Sequence, residues 1–342
     1  MRYKLLGKSG LRVSEICLGT MTFGEEWGFG ANKEESKKVF DTYSKKGGNF
    51  IDTANRYTNG TSEKYVGEFI KSQREHFVLA TKYTLYEQAG DPNRAGNHRK
   101  NMIQSVEASL KRLNTEYIDV LYLHAWDFLT PVDEIMRTFD DLIRQGKIFY
   151  AAISDTPAWR IAQANTIANL RGLSPFIGLQ VEYSLMQRTP ERDLLPMAKA
   201  FDIGITAWAP IAGGALTGKY LKNREAEGRV KEHSQRRNER NTKIAEAVVE
   251  VAGQIGKTPA QVAIRWTMQQ NQVVIPIVGA RTLEQIEDNL NAADFVLNPE
   301  QMDKLNNVSK IEVGFPHDFL QQDAIKHVVY GDTLDQIDNH RS

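Results

Sequence analysis

The strongest constraint on this chain is an alternation. Eight short apolar, β-branched runs recur along it, at residues 16–18, 49–52, 77–82, 119–124, 148–154, 178–181, 204–207 and 273–276. The segments between them carry a helical period. In residues 131–145, for example, Val132, Ile135, Met136, Phe139, Leu142 and Ile143 draw one apolar stripe, as a helix lying on a sheet requires. Start signals precede several such segments: Asn32 with Glu35 three residues on, Thr130-Pro131, Thr156-Pro157 and Thr258-Pro259. Gly47-Gly48, Gly146 and Gly204 read as helix stops before the next strand. Strands alternating with helices pair in parallel through right-handed crossovers. Eight units suggest a closed α/β barrel of the (β/α)8 type, whereas an open doubly wound sheet usually has roughly five to seven strands. Periodicity alone does not separate the two.

Several features add to a minimal barrel. Residues 3–6 and 12–14 read as a hairpin before the first barrel strand. About 65 residues separate the seventh strand from the eighth: a charged stretch over 219–241, then helical segments over 242–255 and 259–270. The charged stretch mixes Arg224, Arg229, Lys231, Arg236, Arg237 and Arg240 with Glu225, Glu227, Glu232 and Glu239, which reads as a solvated loop. In a barrel such a loop lies on the catalytic face and could close over a ligand. A further helix over 299–308 and a tail over 311–342 complete what reads as one domain spanning residues 1–342.

Composition narrows the function classes. Lys plus Arg and Asp plus Glu each total 43, so no net field draws in a polyanion, which argues against a nucleic-acid partner. Cys17 is the single cysteine, so no intramolecular disulfide forms. No run approaches the ~18 apolar residues of a membrane span, and the first residues lack the apolar core of a signal peptide. A cytoplasmic location is the default. Two glycosylation sequons, at Asn59 and Asn307, then count as chance matches.

Polar residues collect where the strands end. Asp52, Lys82 and His124 close three consecutive strands, and Tyr57 lies in the loop leaving the first of them. All C-terminal strand ends of a parallel barrel open on one face, so these four can converge. They suit proton transfer coupled to hydride transfer. A free phenol titrates near pH ~10, and a neighbouring ammonium should lower that value. In this reading Tyr57 is the proton donor, Lys82 and Asp52 tune it, and His124 orients a carbonyl oxygen.

The stretch Gly48-Asn49-Phe50-Ile51-Asp52-Thr53-Ala54, followed by Tyr57, Glu63 and Gly67, resembles the first signature of the aldo-keto reductase family. Thr81-Lys82 and Leu121-Tyr122-Leu123-His124 are similar to the family's lysine and histidine segments. The likeness continues, in order, through Gly146-Lys147, Ile153-Ser154, Gln180, Trp208-Ala209-Pro210, residues 213–220, Val278-Gly279-Ala280-Arg281 and Asn289, so it covers roughly residues 1–310. Longer branches, similar to aryl-alcohol dehydrogenases and potassium-channel β-subunits, look nearest. The resemblance implies NADP(H) bound in an extended pose without a Rossmann glycine fingerprint, and a small carbonyl substrate reduced to an alcohol. By position it implies Ser154, Asp155 and Gln180 on the nicotinamide carboxamide, with Trp208 stacked on the ring. The family usually carries Asn at Asp155; a carboxylate can accept from the amide NH2 but cannot donate to its oxygen. Thr20 and Met21 fall near the nicotinamide ribose. Ala209, Pro210, Ile211, Gly213 and Lys219 fall along the diphosphate. Gly279, Arg281, Gln285, Asp288 and Asn289 fall toward the adenosine end, where Arg281 beside a helix start favours a 2′-phosphate. Glutamate is common in the family at the position of Asp288. Thr282 with Gln285 also spells a plain capping box.

Trp126, two residues past His124, is placed to wall the substrate site, ahead of Trp27 and Tyr86, although Trp27, Trp126 and Trp159 could equally be packing residues. The segment 213–220 nearly spells a phosphate-binding loop, but Tyr220 stands where a Ser or Thr is needed. The seven histidines form no close ligand pair, so no metal is expected. Two rival functions remain: an NADP(H)-binding regulatory subunit with little turnover, and a barrel enzyme using Lys82 as a Schiff-base nucleophile.

Overall fold

The computed structural model describes residues 1–222, 230, 234–270 and 272–339. An antiparallel hairpin of β1 (Tyr3–Leu5) and β2 (Arg12–Ser14) comes first. Then follow β3 (Cys17–Gly19), α1 (Lys33–Lys45), β4 (Phe50–Asp52), α2 (Thr61–Ile70), β5 (Val78–Tyr83), α3 (Arg99–Leu113), β6 (Ile118–Leu123), α4 (Val132–Arg144) and β7 (Ile148–Ser154). The second half carries α5 (Ala158–Arg171), β8 (Phe176–Glu182), α6 (Leu194–Ala200), β9 (Gly204–Trp208), the single turn α7 (Lys219–Lys222), α8 (Glu239–Ile255), α9 (Pro259–Met268), β10 (Val274–Val278) and α10 (Leu283–Leu290). The helices α11 (Pro299–Ser309), α12 (His317–Leu320) and α13 (Asp323–Tyr330) end the described chain. β3 to β10 form a closed parallel barrel in sequence order, β10 pairing with β3 through Ile277↔Cys17 and Val278↔Leu18. This is the (β/α)8 architecture with an N-terminal hairpin.

Two apolar layers hold it together. Inside the cylinder, Phe50, Val78, Val120, Tyr122 and Ile275 pack beneath the mouth with Leu6 of the hairpin connection. Outside it, the α4 stripe buries Val132, Ile135, Met136, Phe139 and Leu142 against the strands, while Ile143 is only partly buried. Burying such a side chain contributes about 1.5–3 kcal/mol, so the stripe fixes the helix face. The hairpin seals the lower end. Lys8 N–H donates to Asp202 O at 2.7 Å, and Gly7 takes φ +55° so close to the barrel that a Cβ would stand 2.3 Å from Ile177 O. With the bottom closed, the cavity opens at the C-terminal strand ends.

Helix boundaries follow local chemistry, with three departures from the sequence reading. Asn32 accepts from Glu35 N–H at 3.0 Å, and Thr258 with Gln261 forms a full capping box. Pro131 and Pro157, by contrast, occupy the cap position itself and make no side-chain cap bond. The loop before α4 is held by Asp127, whose carboxylate accepts from Leu129 N–H, Thr130 N–H and the Thr130 hydroxyl. Gly204 is not a helix stop. Asp202 takes the left-handed turn at φ +50° after α6, and Gly204 is bare because a Cβ would meet Gly7 N at 2.7 Å. Finally, α8 starts at Glu239 rather than 242, because Asn238 accepts from Asn241 N–H at 2.8 Å and caps it. Residues 223–229 and 231–233 of the charged stretch, with Arg224, Arg229 and Lys231, lie outside the described residues. Among the described residues no helix is long and apolar enough to cross a membrane.

Candidate active site

Asp52 ends β4 and Lys82 sits near the end of β5, and the parallel pairing of these neighbouring strands sets them side by side. Lys82 Nζ donates to both Asp52 carboxylate oxygens at 2.7 Å and to Thr53 O at 2.9 Å, and it lies 3.2 Å from Tyr57 Oη. The lysine is fully buried. Gln180 Nε2 donates to Asp52 Oδ1 at 2.9 Å from across the barrel. Tyr57 enters from the loop after β4. The next three residues, Thr58, Asn59 and Gly60, all take left-handed φ, at 45°, 54° and 91°. Such backbone is costly for non-glycine residues and persists only when anchored; Thr58 Oγ1 donates to Phe23 O at 2.6 Å. His124 is the first residue beyond β6, not its last, and its ring meets the Tyr57 ring edge-on at 5.9 Å. Its Nδ1 is buried without a protein partner.

Electrostatics assign the protonation states. Burial alone would push Lys82 down, but the Asp52 carboxylate reverses this and holds the ammonium above its ordinary range. Tyr57 departs from the sequence expectation. Its burial outweighs the favourable Lys82 charge, and the phenol sits above the ordinary value of ~10. Burial, with Lys82 nearby, pushes His124 well below the ordinary imidazole range, so the ring is neutral near pH 7. The site therefore holds a protonated phenol, a neutral imidazole and a charge-balanced Lys82–Asp52 pair.

These groups face a cavity of about 370 Å³ at the mouth. Tyr57, Asp52 and His124 line it, while Lys82 stands behind them. Ser154, Asp155, Gln180 and Trp208 form one wall, and Trp208 Nε1 donates to Asp155 Oδ1 at 3.3 Å. The turn after β9 brings Ala209, Pro210, Ile211 and Gly213 to the lining, and Met21, Gly279 and Asn289 complete the nominated residues that reach it. Gly213 and Gly214 take φ of 67° and 95° there, leaving backbone without side chains. Gly19 and Gly279 are as bare: a Cβ on Gly19 would stand 2.7 Å from Ile277 Cγ2. A glycine-lined groove leading to an indole wall fits an extended dinucleotide, whose phosphates need close backbone approach.

Other nominated residues stand elsewhere. Thr20 is buried, donating to Asp52 O at 2.9 Å and paired with Ser62 Oγ at 2.8 Å, so it braces the strand end. Asp288 accepts from Thr258 Oγ1 at 2.9 Å and from Gln261 Nε2 at 2.7 Å, which commits it to the start of α9. Arg281 and Gln285 are exposed at the start of α10, Gln285 Oε1 accepting from Arg281 N–H at 2.9 Å. Thr282 caps that helix, accepting from Gln285 N–H. Lys219 Nζ lies over the Tyr220 ring at 4.8 Å. Trp126 is nearly buried in the outer core with the Arg160 guanidinium over it at 5.5 Å, and does not line the cavity. The aromatic wall is Trp27 instead, 6.2 Å from the Tyr57 ring, with Leu85 nearby.

Sequence reasoning also missed Arg236. Within the charged stretch it looks like any solvated arginine, yet it lines the cavity and donates to Glu182 Oε1 at 2.5 Å. Among the described residues it is the one arginine or lysine on the lining. Its place three residues before a capped helix start was the available signal, since a cap anchors the chain that precedes it.

The chain is similar to known proteins along most of its length. The model of the Aldo/keto reductase family matches residues 15–310. A norsolorinic acid reductase from Aspergillus flavus is 37% identical over 326 residues, covering 92% of this chain and 83% of that protein. An aryl-alcohol dehydrogenase [NADP(+)] from Phanerodontia chrysosporium is 38% identical, covering 90% and 86%. A putative aryl-alcohol dehydrogenase from Saccharomyces cerevisiae is 35% identical, covering 94% and 90%.

Proposed function

The chain belongs to the aldo/keto reductase family, and on that premise we propose an NADP(H)-dependent oxidoreductase that reduces small aromatic aldehydes or ketones to alcohols, with Tyr57 as proton donor. One observation carries the reading: the Tyr57 hydroxyl stands at the cavity floor, 3.2 Å from an ammonium held by two carboxylate contacts. Bound NADPH supplies the hydride. Tyr57 then protonates the developing alkoxide, and Lys82 stabilises the phenolate left behind. Asp52 keeps Lys82 charged and fixed, so it is a positioning residue. Neutral His124 directs the carbonyl oxygen toward the phenol. Burial and three hydrogen-bonding partners keep Lys82 from acting as a Schiff-base nucleophile.

The cofactor assignment draws on the named activity of the relative from Phanerodontia chrysosporium and on the groove. Trp208 would stack on the nicotinamide, Ser154 and Gln180 would meet its carboxamide, and Arg236 would meet the diphosphate. Arg281, exposed beside a helix start, would take the 2′-phosphate. The aryl-alcohol dehydrogenases among the relatives point to aryl substrates, and Trp27 with Leu85 offers the flat apolar wall such rings need. A panel of aromatic and aliphatic carbonyls, followed by NADPH absorbance and repeated with NADH, tests the reading. Tyr57→Phe should lose at least ~100-fold in kcat while the NADPH Kd moves by less than about twofold. Undiminished turnover in that variant would reject the assignment.

A further inference from the structure

The cavity holds two carboxylates with opposite circumstances. Asp52 is matched by Lys82. Asp155 is not: its side chain accepts only from the neutral Trp208 indole, at 3.3 Å, and no ion pair reaches it among the described residues. Its placement is enforced by the fold. Asp155 follows the last residue of β7 with φ +41°, its N–H donates to Gln180 O at 3.4 Å, and its carbonyl accepts from Trp126 N–H at 3.4 Å. These contacts turn the carboxylate onto the same wall as Ser154, Gln180 and Trp208.

The charges of the lining then leave a surplus. Lys82 balances Asp52, Arg236 balances Glu182, and His124 is neutral. Burial pushes the Asp155 carboxyl above the ordinary range, against the pull of the Trp208 indole and the more distant Lys82. It is the one carboxylate of the lining without an ion pair among the described residues, and its negative charge is the surplus. An amide at this position could accept and donate to a carboxamide; a carboxylate only accepts, so hydrogen bonding to an amide ligand does not by itself call for the charge. A nicotinamide ring does distinguish the two. The oxidised ring carries a positive charge that the reduced ring lacks.

We infer that Asp155 sets the redox preference of the cofactor site: its carboxylate selects the cationic, oxidised nicotinamide over the neutral, reduced one. The inference rests on the dinucleotide reading above and goes beyond it. Whatever holds NADP+ more tightly than NADPH by a given factor makes bound NADPH a stronger hydride donor by the same factor, because the two equilibria are linked. The site is thereby biased toward carbonyl reduction, at the expense of slower release of the oxidised cofactor.

The test reads binding rather than turnover. Dissociation constants for NADP+ and NADPH are measured by quenching of tryptophan fluorescence in the unmodified protein and in Asp155→Asn. Asparagine tolerates left-handed φ as well as aspartate does, so the variant keeps the backbone. The ratio Kd(NADP+)/Kd(NADPH) should rise by at least about fourfold and up to about 250-fold in Asp155→Asn, the range expected for one charge pair about 5 Å apart between full water screening and a protein-surface environment. Any hydrogen bond that the new amide donates to the carboxamide acts on both forms alike and cancels in the ratio. NAD+ and NADH, which share the ring but lack the 2′-phosphate, should show the same rise. An unchanged ratio, or equal weakening of both forms, overturns the inference while leaving the dinucleotide reading intact. If the unmodified protein binds neither form, the dinucleotide reading falls as well.

Discussion

At Tyr57 two influences oppose each other, and their balance sets the pH response. Lys82 favours the phenolate, but the surrounding rings exclude water, and burial wins. The phenol is therefore protonated throughout the neutral range and titrates above ~10. His124 is held neutral to well below its ordinary ~6.5. Reduction needs the protonated phenol, so kcat/KM for carbonyl reduction should stay flat from about pH 6.5 to about 9 and fall only in stronger alkali. Alcohol oxidation needs the phenolate and should rise across the same interval. Steady-state rates in both directions across that interval check this; a reduction limb with an apparent pKa near 7 would refute the protonation states. The convergence of Asp52, Lys82 and His124 was legible in the sequence because three consecutive strands carry them at or beside their ends, where one such residue alone would be unremarkable. The direction of the Tyr57 shift was not, because it depends on Trp27 and His124 arriving from other loops. Trp126 misled for the same reason: sequence distance from His124 does not tell which way a side chain turns.

Helix ends were legible where a side chain bonds its own helix, as at Asn32 and Thr258, and less so where a distant group serves. Asp288 belongs to α10 but its carboxylate reaches the hydroxyl and amide that cap α9, 30 and 27 residues away. It ties the two helices together and places negative charge at a helix N-terminus, where it is favourable. Asp288→Ala should cost about 1–2 kcal/mol of stability, the sum of a weakened cap and lost hydrogen bonds. Urea denaturation measures that cost, and an NADPH titration of the same variant separates the two roles open to the residue. Weaker cofactor binding with unchanged stability would return Asp288 to the adenosine contact expected from the resemblance. The left-handed stop at Asp202 escaped notice because Gly204, two residues on, is the more conspicuous letter; its bareness serves the packing of Gly7 instead.

For the whole molecule, the alternation of elements implied parallel strands, but closure could not be read locally. It is the pairing of β10 with β3, across more than 250 residues of sequence, that removes the sheet edges. The hairpin then stoppers one end and leaves the other for chemistry. Beyond Ser309 the chain contributes nothing to this core: among the described residues of 310–339 none is buried, and Phe315 and Val328 are 84% and 78% exposed. The apolar residues of α13 fall at helical spacing, so the sequence of the tail resembles a packed helix although no barrel face receives it. Stability gained by burial scales with apolar area removed from water, and here that area is close to nil. Deleting residues 315–342 should therefore leave the urea midpoint and the NADPH Kd unchanged, with any change in stability under ~0.5 kcal/mol. Gly314 and the contact of Arg192 with Glu312 O are retained in that shortened chain. A loss of more than about 1 kcal/mol would show that the tail packs against protein in solution. The barrel would then no longer account for the stability of the chain by itself.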